Sequence, residues 1–415
     1  MEKVDILVLG SEQLVTAEGN TSLRGKDMRN LKVIKRGAIA IRGEYIVEVG
    51  TEDELKSRYL PDKIVDAEGG CITPGFVDAH THLVFAGSRE DEFIMRIKGK
   101  TYKEIALSGG GINATVKATR AASEEDLLDS AWSRLNTAVS CGTTTVGITS
   151  GYGLDTENEL KMLRVILTLK EEHPLHIVPI FLGAHDIPPE YKEKKQEYIK
   201  LIIKEMLPKV VEGKLAKFCD VFCEPHTFNI EETKRILMTA KNAGLSITVH
   251  ADELEQTGGA ELAVELGARS ASHLIKVSEK GISALAKSDT VAMLLPGVSF
   301  FLKMDFAPAR KLIDSGAAVA LATDTNPGSS YTENMQIIMT LACLYLNMLP
   351  EEVLIASTLN GAVALNLADK LGTLEAGKFA DIAIWRENDY RKLPYHFGVN
   401  LIKTVIKAGE VIVQR

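Results

Sequence analysis

Eight times between residues 76 and 323, the chain passes through a short apolar run and then a segment with helical spacing. The apolar runs lie at about 76–82, 143–149, 176–183, 217–223, 245–250, 269–273, 290–295 and 317–323. Helical spacing covers 156–172, 190–211, 230–243 and 257–266 between them. A run that is apolar on both faces belongs to a strand covered on both sides, which is how parallel strands joined by crossover helices are buried. Eight such units over about 300 residues predict an α/β fold of the (β/α)8 TIM-barrel type in preference to an open sheet. Short β runs bounded by glycine or charge occupy 5–9, 37–41 and 45–49, and again 380–385, 403–407 and 410–414. The two ends are therefore expected to pair into one small β-sandwich, residues 1–66 with 366–415. Residues 67–365 would form the barrel between them.

A length of 415 residues suits one large domain and a smaller one. The net charge is −8, with acidic and basic residues interspersed, so no basic block is available to neutralise phosphates and nucleic acid is excluded as a partner. No apolar run reaches membrane-spanning length; 291–302 is interrupted by Pro296 and Gly297. The start, Met1-Glu2-Lys3-Val4-Asp5, lacks the basic and apolar regions of a secretory signal, and a cytoplasmic location is expected. Five scattered cysteines, Cys71, Cys141, Cys219, Cys223 and Cys343, fit free thiols in a reducing compartment. Cys219 and Cys223 share a strand, where their side chains would stand about 13 Å apart, too far for one metal.

In a barrel, chemistry sits at the C-terminal ends of the strands. The first run ends in His80-Thr81-His82, and residues i and i+2 of a strand face one side. The third run leads into His185, the fifth ends at His250, the sixth at His273 and the eighth at Asp324. Five of the nine histidines thus fall at strand ends on one mouth, while His173, His176, His226 and His396 read as structural or exposed. A catalytic metal takes three or four N/O donors and keeps an open position. His80, His82, His250 and Asp324 supply such a set. Alone, Asp324 would read as a turn residue before Asn326-Pro327-Gly328; three nearby imidazoles favour the ligand. No strand-end lysine is placed to bridge a second metal, since Thr149 ends the second strand and Glu224 follows the fourth.

Water made nucleophilic by such an ion needs a proton acceptor. Asp324 is suited to that role, with His273 to orient water or stabilise an oxyanion and Glu253 within reach. Arg89, just past the first strand, suits a bidentate carboxylate contact. Tyr152 in Ser150-Gly151-Tyr152-Gly153, and Asn326, Gly328 and Ser329 after the eighth strand, are turn residues at the same mouth. The run Gly109-Gly110-Gly111 precedes a helix within the excursion 84–112, which could cover the mouth; it suits an anion-binding turn or a flexible loop equally.

The stretches Asp78-Ala79-His80-Thr81-His82-Leu83-Val84-Phe85-Ala86-Gly87-Ser88-Arg89, Gly109–Ile112, Ser150–Leu154, His250–Glu253, Thr323–Ser330 and Leu393–Asn400 resemble the amidohydrolase superfamily. Within it, the Arg89 and Tyr152 segments are similar to the cyclic-amide hydrolases of histidine degradation. The resemblance implies zinc or iron on His80, His82, His250 and Asp324. It implies substrate contacts from Arg89, Tyr152, His185, Glu253, Asn326, Gly328 and Ser329. The implied reaction is hydrolysis of 4-imidazolone-5-propanoate to N-formimidoyl-L-glutamate. Where that group commonly carries a Glu-X-Lys pair, this chain has Gly147 and Thr149. A deaminase on the same scaffold and a barrel without activity are the rival expectations, and a homodimer is the expected assembly.

Overall fold

The chain begins and ends in β structure in the computed structural model, which describes residues 1–100, 104 and 110–415. First come β1 (Glu2–Leu9), β2 (Gln13–Thr16), β3 (Lys32–Lys35), β4 (Gly37–Arg42), β5 (Tyr45–Thr51), β6 (Tyr59–Asp66) and β7 (Cys71–Pro74). The apolar runs follow as β8 (Phe76–Thr81), β9 (Thr143–Thr149), β10 (His176–Ala184), β11 (Phe218–Cys223), β12 (Ser246–Ala251), β13 (Ser270–His273), β14 (Val291–Leu294) and β15 (Val319–Leu321). The chain closes with β16 (Ile382–Trp385), β17 (Ile402–Lys407) and β18 (Glu410–Gln414).

One terminal sheet, in the order β5-β4-β1-β6, comes wholly from the N-terminal segment; the other, β18-β17-β16-β7-β2-β3, mixes both ends. Their junction is the antiparallel pair of β7 and β16, with Ala383 opposite Thr73. Ile6, Ile39 and Ile41 of the first sheet pack on Leu14, Ile72 and Ile382 of the second in one buried apolar layer, as inward residues of a sandwich do. Strand β7 belongs to this sheet although it lies inside 67–365. Only Gly75 separates it from β8, so the chain passes from sandwich to barrel in one step.

The eight barrel strands lie in one sheet in chain order, and each neighbouring pair is parallel. The sheet closes where Asp324 N–H donates to the His80 carbonyl at 3.0 Å and His82 N–H donates to the Thr325 carbonyl at 2.9 Å. Several of the helices between strands start on side-chain caps. Asp155 accepts from Asn158 N, and Asn229 and Glu232 form a reciprocal capping box. The segment 190–211, expected as one helix, is instead broken into Lys195–Leu201, a π turn at Ile202–Met206 and Leu207–Glu212. Pro208 is the cause: it has no N–H for the preceding turn, and its ring crowds the carbonyl four residues back. β14 and β15 are shorter than the runs 290–295 and 317–323. After β15 the backbone leaves the ladder, and Asp324 takes a left-handed φ of +52°. Gly109 of the glycine run lies outside the described residues. No helix among the described residues is long and apolar enough to cross a membrane, and the five cysteines are free thiols.

His173, read as structural, sits buried at 4% exposure behind the barrel. Leu175 N–H donates to its Nδ1 at 3.2 Å, so its proton lies on Nε2, which faces Asn136 Oδ1 at 3.3 Å. Burial lowers this imidazole to about 4. Between pH 6.5 and about 4 the unfolded chain takes up a proton that the folded chain refuses, so stability falls as pH drops through that window. Thermal melts of His173→Asn should show this acid-side loss reduced by about 1–3 kcal/mol. Parallel pH profiles for variant and wild type would contradict the assignment.

Candidate active site

His80 lies on β8 and His82 just past it, and both are held at the barrel mouth by the closing bonds to the 324–325 backbone. Their side chains meet His250 from β12 and Asp324 from beyond β15. Donor atoms of His80, His82 and His250 all lie within 4.8 Å of one another. Asp324 Oδ1 is 3.5 Å from His80 Nε2 and 3.4 Å from His82 Nε2, and His250 Nε2 is 3.4 Å from His82 Nε2. Four N/O donors at 2.0–2.1 Å around a tetrahedral ion would be separated by about 3.4 Å. Among the described residues, His80 Nε2 and Asp324 Oδ1 are buried with no hydrogen-bond partner, a costly state for polar atoms that an ion at their meeting point would relieve. Burial, reinforced by the neighbouring imidazoles, holds His82 and His250 well below the usual histidine range, in the neutral form that ligates metal. The residues present fit a bound ion.

Outer contacts orient these rings. His80 Nδ1 lies 3.1 Å from Ser272 Oγ, and His250 Nδ1 lies 3.1 Å from Asp220 Oδ2. Asp220 Oδ1 also accepts the His250 backbone N–H at 3.1 Å. Asp78 accepts from Thr323 N–H at 2.9 Å and from its hydroxyl at 2.6 Å, which fixes the turn that aims Asp324. Asp78 and Asp220 are both buried within barrel strands, Asp220 in one that is otherwise apolar. A charged residue in such a strand is the signal in the sequence that could have marked them, since it is tolerated only with partners.

Loops above the strands are held in the same way. Glu159, with no exposure, accepts the N–H groups of Gly153 at 2.8 Å, Leu154 at 2.9 Å and Gly151 at 3.2 Å, clamping the turn that carries Tyr152. Glu224 accepts Glu253 N–H at 2.8 Å and Leu254 N–H at 3.0 Å. Asn326 Oδ1 accepts Gly328 N–H and Ser329 N–H, each at 2.8 Å, while its Nδ2 donates to the Asp324 carbonyl at 2.7 Å. Asn326 therefore ties Asp324 to the turn that follows.

These loops enclose a cavity of about 590 Å³. Arg89, Tyr152, His185, Glu253, Asn326, Gly328 and Ser329 all line it, together with His82, His250, His273 and Asp324. His80 lies deeper. His226, read from sequence as structural or exposed, is exposed and also lines the cavity, as does Asp186. His185 donates from Nδ1 to the Gly151 carbonyl at 2.9 Å and stacks on His82 with 5.1 Å between ring centres. Burial lowers His185 to about 4. His273 Nε2 lies 3.5 Å from Glu253 Oε2. Burial, with the charges of Asp324 and Glu224, raises Glu253 to about 8 and leaves it protonated at neutral pH. His273 and Asp324 have φ of +73° and +52°, a region uncommon for non-glycine residues and concentrated at functional sites.

Arg89 is not a lone cation. Its Nε donates to Glu92 Oε1 at 2.9 Å and its Nη2 to Oε2 at 2.7 Å. Gly111 N–H, opening the helix Ile112–Ala121, donates to the same Oε1 at 2.8 Å. The anion at the glycine run is thus a carboxylate of the chain itself. A Cβ at residue 328 would lie 2.0 Å from Arg89 Nη1, so glycine there admits the guanidinium. At the departure from the family pattern, a Cβ on Gly147 would meet the Ala79 carbonyl oxygen at 2.5 Å. The Thr149 hydroxyl is buried without a partner among the described residues.

Residues 71–412 match the amidohydrolase family. A protein from Alkaliphilus metalliredigens (strain QYMF) named imidazolonepropionase is 48% identical over 417 residues, covering 99% of this chain and 99% of that one. Another of that name, from Clostridium tetani (strain Massachusetts / E88), is 45% identical and covers 100% of both chains. Among solved structures, a zinc-bound adenosine deaminase from Xanthomonas campestris is similar with a TM-score of 0.72 at 18% identity, covering 100% of this chain and 94% of that chain. A triazine hydrolase variant has a TM-score of 0.75 at 16% identity, covering 99% and 94%. At such identities the structural likeness speaks for the fold alone. The full-length sequence matches speak for more, and the chain belongs to the amidohydrolase family, on the branch of the imidazolonepropionases.

Proposed function

We propose that the chain hydrolyses the cyclic amide of 4-imidazolone-5-propanoate to N-formimidoyl-L-glutamate. The observation that carries this reading is a convergent N/O donor cluster sharing one cavity with the Arg89 guanidinium. The name of the full-length relatives supports it. His80, His82, His250 and Asp324 would hold one ion, zinc or iron, since N/O donors suit both. The ion, when bound, supplies Lewis acidity that makes water nucleophilic near neutral pH.

The chain's own residues do the rest. Arg89 binds the propanoate carboxylate and fixes the ring's distance from Asp324. As water adds to the ring carbonyl carbon, Asp324 takes the proton it releases. Asp324 then returns that proton to the ring nitrogen as the carbon–nitrogen bond breaks, and the second proton of the water leaves the new carboxyl group for solvent, so the product carries a carboxylate and an N–H on the former ring nitrogen. Glu253, whose carboxyl is raised by burial, is suited to donate a hydrogen bond to the reacting group. His273, kept neutral by burial and by His250 and His80, orients the water or stabilises the developing oxyanion. Tyr152 and His185 wall the ring, and Asn326, Gly328 and Ser329 shape the opposite side.

The test is an assay of purified, metal-loaded protein on 4-imidazolone-5-propanoate, with product mass and metal content measured on one sample. Intact substrate in the presence of a full metal complement would sink the reading, and ammonia release from nucleobases would turn it toward a deaminase. Arg89→Ala should raise KM by about 10- to 100-fold with kcat nearly unchanged, because a remote charged contact binds ground and transition states alike. A collapse of kcat at constant KM would remove Arg89 from this role.

A further inference from the structure

We propose that Glu92 is a positioning residue that turns the end edge of the Arg89 guanidinium, Nη1 and Nη2, toward the substrate carboxylate; the proposal rests on the function proposed above. Arg89 stands at the entry of the helix Glu90–Ile97, and Glu92 is three residues on, close enough to share its face. Guanidinium carries five N–H groups. Glu92 engages the side edge, Nε at 2.9 Å and Nη2 at 2.7 Å, in a fork. What remains is the second Nη2 hydrogen and one Nη1 hydrogen, which form the end edge, and the other Nη1 hydrogen, which points back toward Cδ. That edge is the only one left for a second bidentate carboxylate. Nη1 is packed so closely on Gly328 that a Cβ there would lie 2.0 Å away, so the free edge lies against the 326–329 turn of the cavity wall.

Glu92 is itself fixed. Its side chain is 8% exposed, Gly111 N–H reaches Oε1 at 2.8 Å, and Arg96 Nη2 lies 3.4 Å from Oε2. Burial alone would raise this carboxyl, but Arg89 and the Gly111 N–H outweigh it and the group stays ionised. Two effects of Glu92 on an anionic substrate oppose each other. Its charge repels the incoming carboxylate, while its fork holds four rotatable bonds of Arg89 in one arrangement. A glutamine in its place would keep one acceptor but set its NH2 against the donors Nη2 or Gly111 N–H, breaking the fork. Positioning and charge therefore predict KM changes of opposite sign.

The experiment compares wild type, Glu92→Gln, Glu92→Asp and Arg89→Ala on 4-imidazolone-5-propanoate. Binding of imidazole-4-propanoate and of the uncharged 4-propylimidazole is measured by calorimetry, with thermal melts on each protein. E92Q should raise KM about 10-fold with kcat nearly unchanged, weaken imidazole-4-propanoate in parallel, and leave 4-propylimidazole unaffected. E92D, with the charge kept but withdrawn by one methylene, should fall between. In the Arg89→Ala background E92Q should add nothing, since the two act as one unit. A fall in KM would show that Glu92 acts only as a charge. Equal weakening of both ligands, or a lower melting temperature with KM unchanged, would show a structural role; each overturns the proposal. If wild type fails to turn over the substrate, the functional reading falls, and the paired binding measurements still decide whether Glu92 orients Arg89 toward carboxylates.

Discussion

Asp324→Asn is expected to lower kcat by about 10²- to 10⁴-fold, the range for loss of a general acid–base group. In the proposed reaction the carboxylate has two tasks on different oxygens. Oδ1 faces His80 Nε2 and His82 Nε2 at 3.5 and 3.4 Å, and Oδ2 lies 3.2 Å from Asn326 Nδ2. An amide keeps an oxygen for the first task but has no basic site to accept a proton. Burial raises the Asp324 carboxyl, with His80 pulling the other way. The fold should survive, because the turn is held by Asp78 through Thr323 and by the backbone bond from Asp324 N–H to the His80 carbonyl. The decisive measurement is kcat and metal content on the same preparation. Metal retained with kcat lost assigns proton transfer to Asp324; a variant with wild-type kcat would take that role away.

His82→Ala should do more, removing the ion and the activity together. It deletes a donor that lies 3.4 Å from both Asp324 Oδ1 and His250 Nε2, near the centre of the cluster. Residues that merely orient a ligand are worth about 10–100-fold in metal affinity, so loss of a ligand should exceed that. Asp220→Asn provides the scale on the same protein. It leaves every donor in place and weakens only the carboxylate 3.1 Å from His250 Nδ1, so a loss of about 10–100-fold in affinity is expected. Metal titration followed by elemental analysis separates the two. Stoichiometric ion in the His82→Ala protein would mean that the four donors do not share one site.

The barrel was legible because each strand announces itself locally. An apolar run of strand length followed by helical spacing needs no knowledge of distant residues, and 143–149 and 156–172 match β9 and its helix to the residue. The break in 190–211 was legible only in part. Pro208 stands in the sequence, but the widened turn before it is a compromise between helix and ring that periodicity does not register. His226 is exposed, as one of its two readings had it, but its place at the cavity was missed because it follows no strand end directly; it reaches the cavity by the path of the loop after β11.

By itself the sequence determined which residues stand at strand ends, since strand period and barrel polarity carry His80, His82, His250, His273 and Asp324 to one rim. Only the tertiary structure decided how they are aimed. Asp78 and Thr323 lie 245 positions apart, yet the bonds between them set the Asp324 turn. Asp220 reaches His250 across 30 positions, and Arg89 packs on Gly328 across the seam where the chain after β15 meets β8. Burial makes each of these carboxylates and cations depend on a partner, and the partner is chosen by the closure of the barrel, which no local pattern encodes.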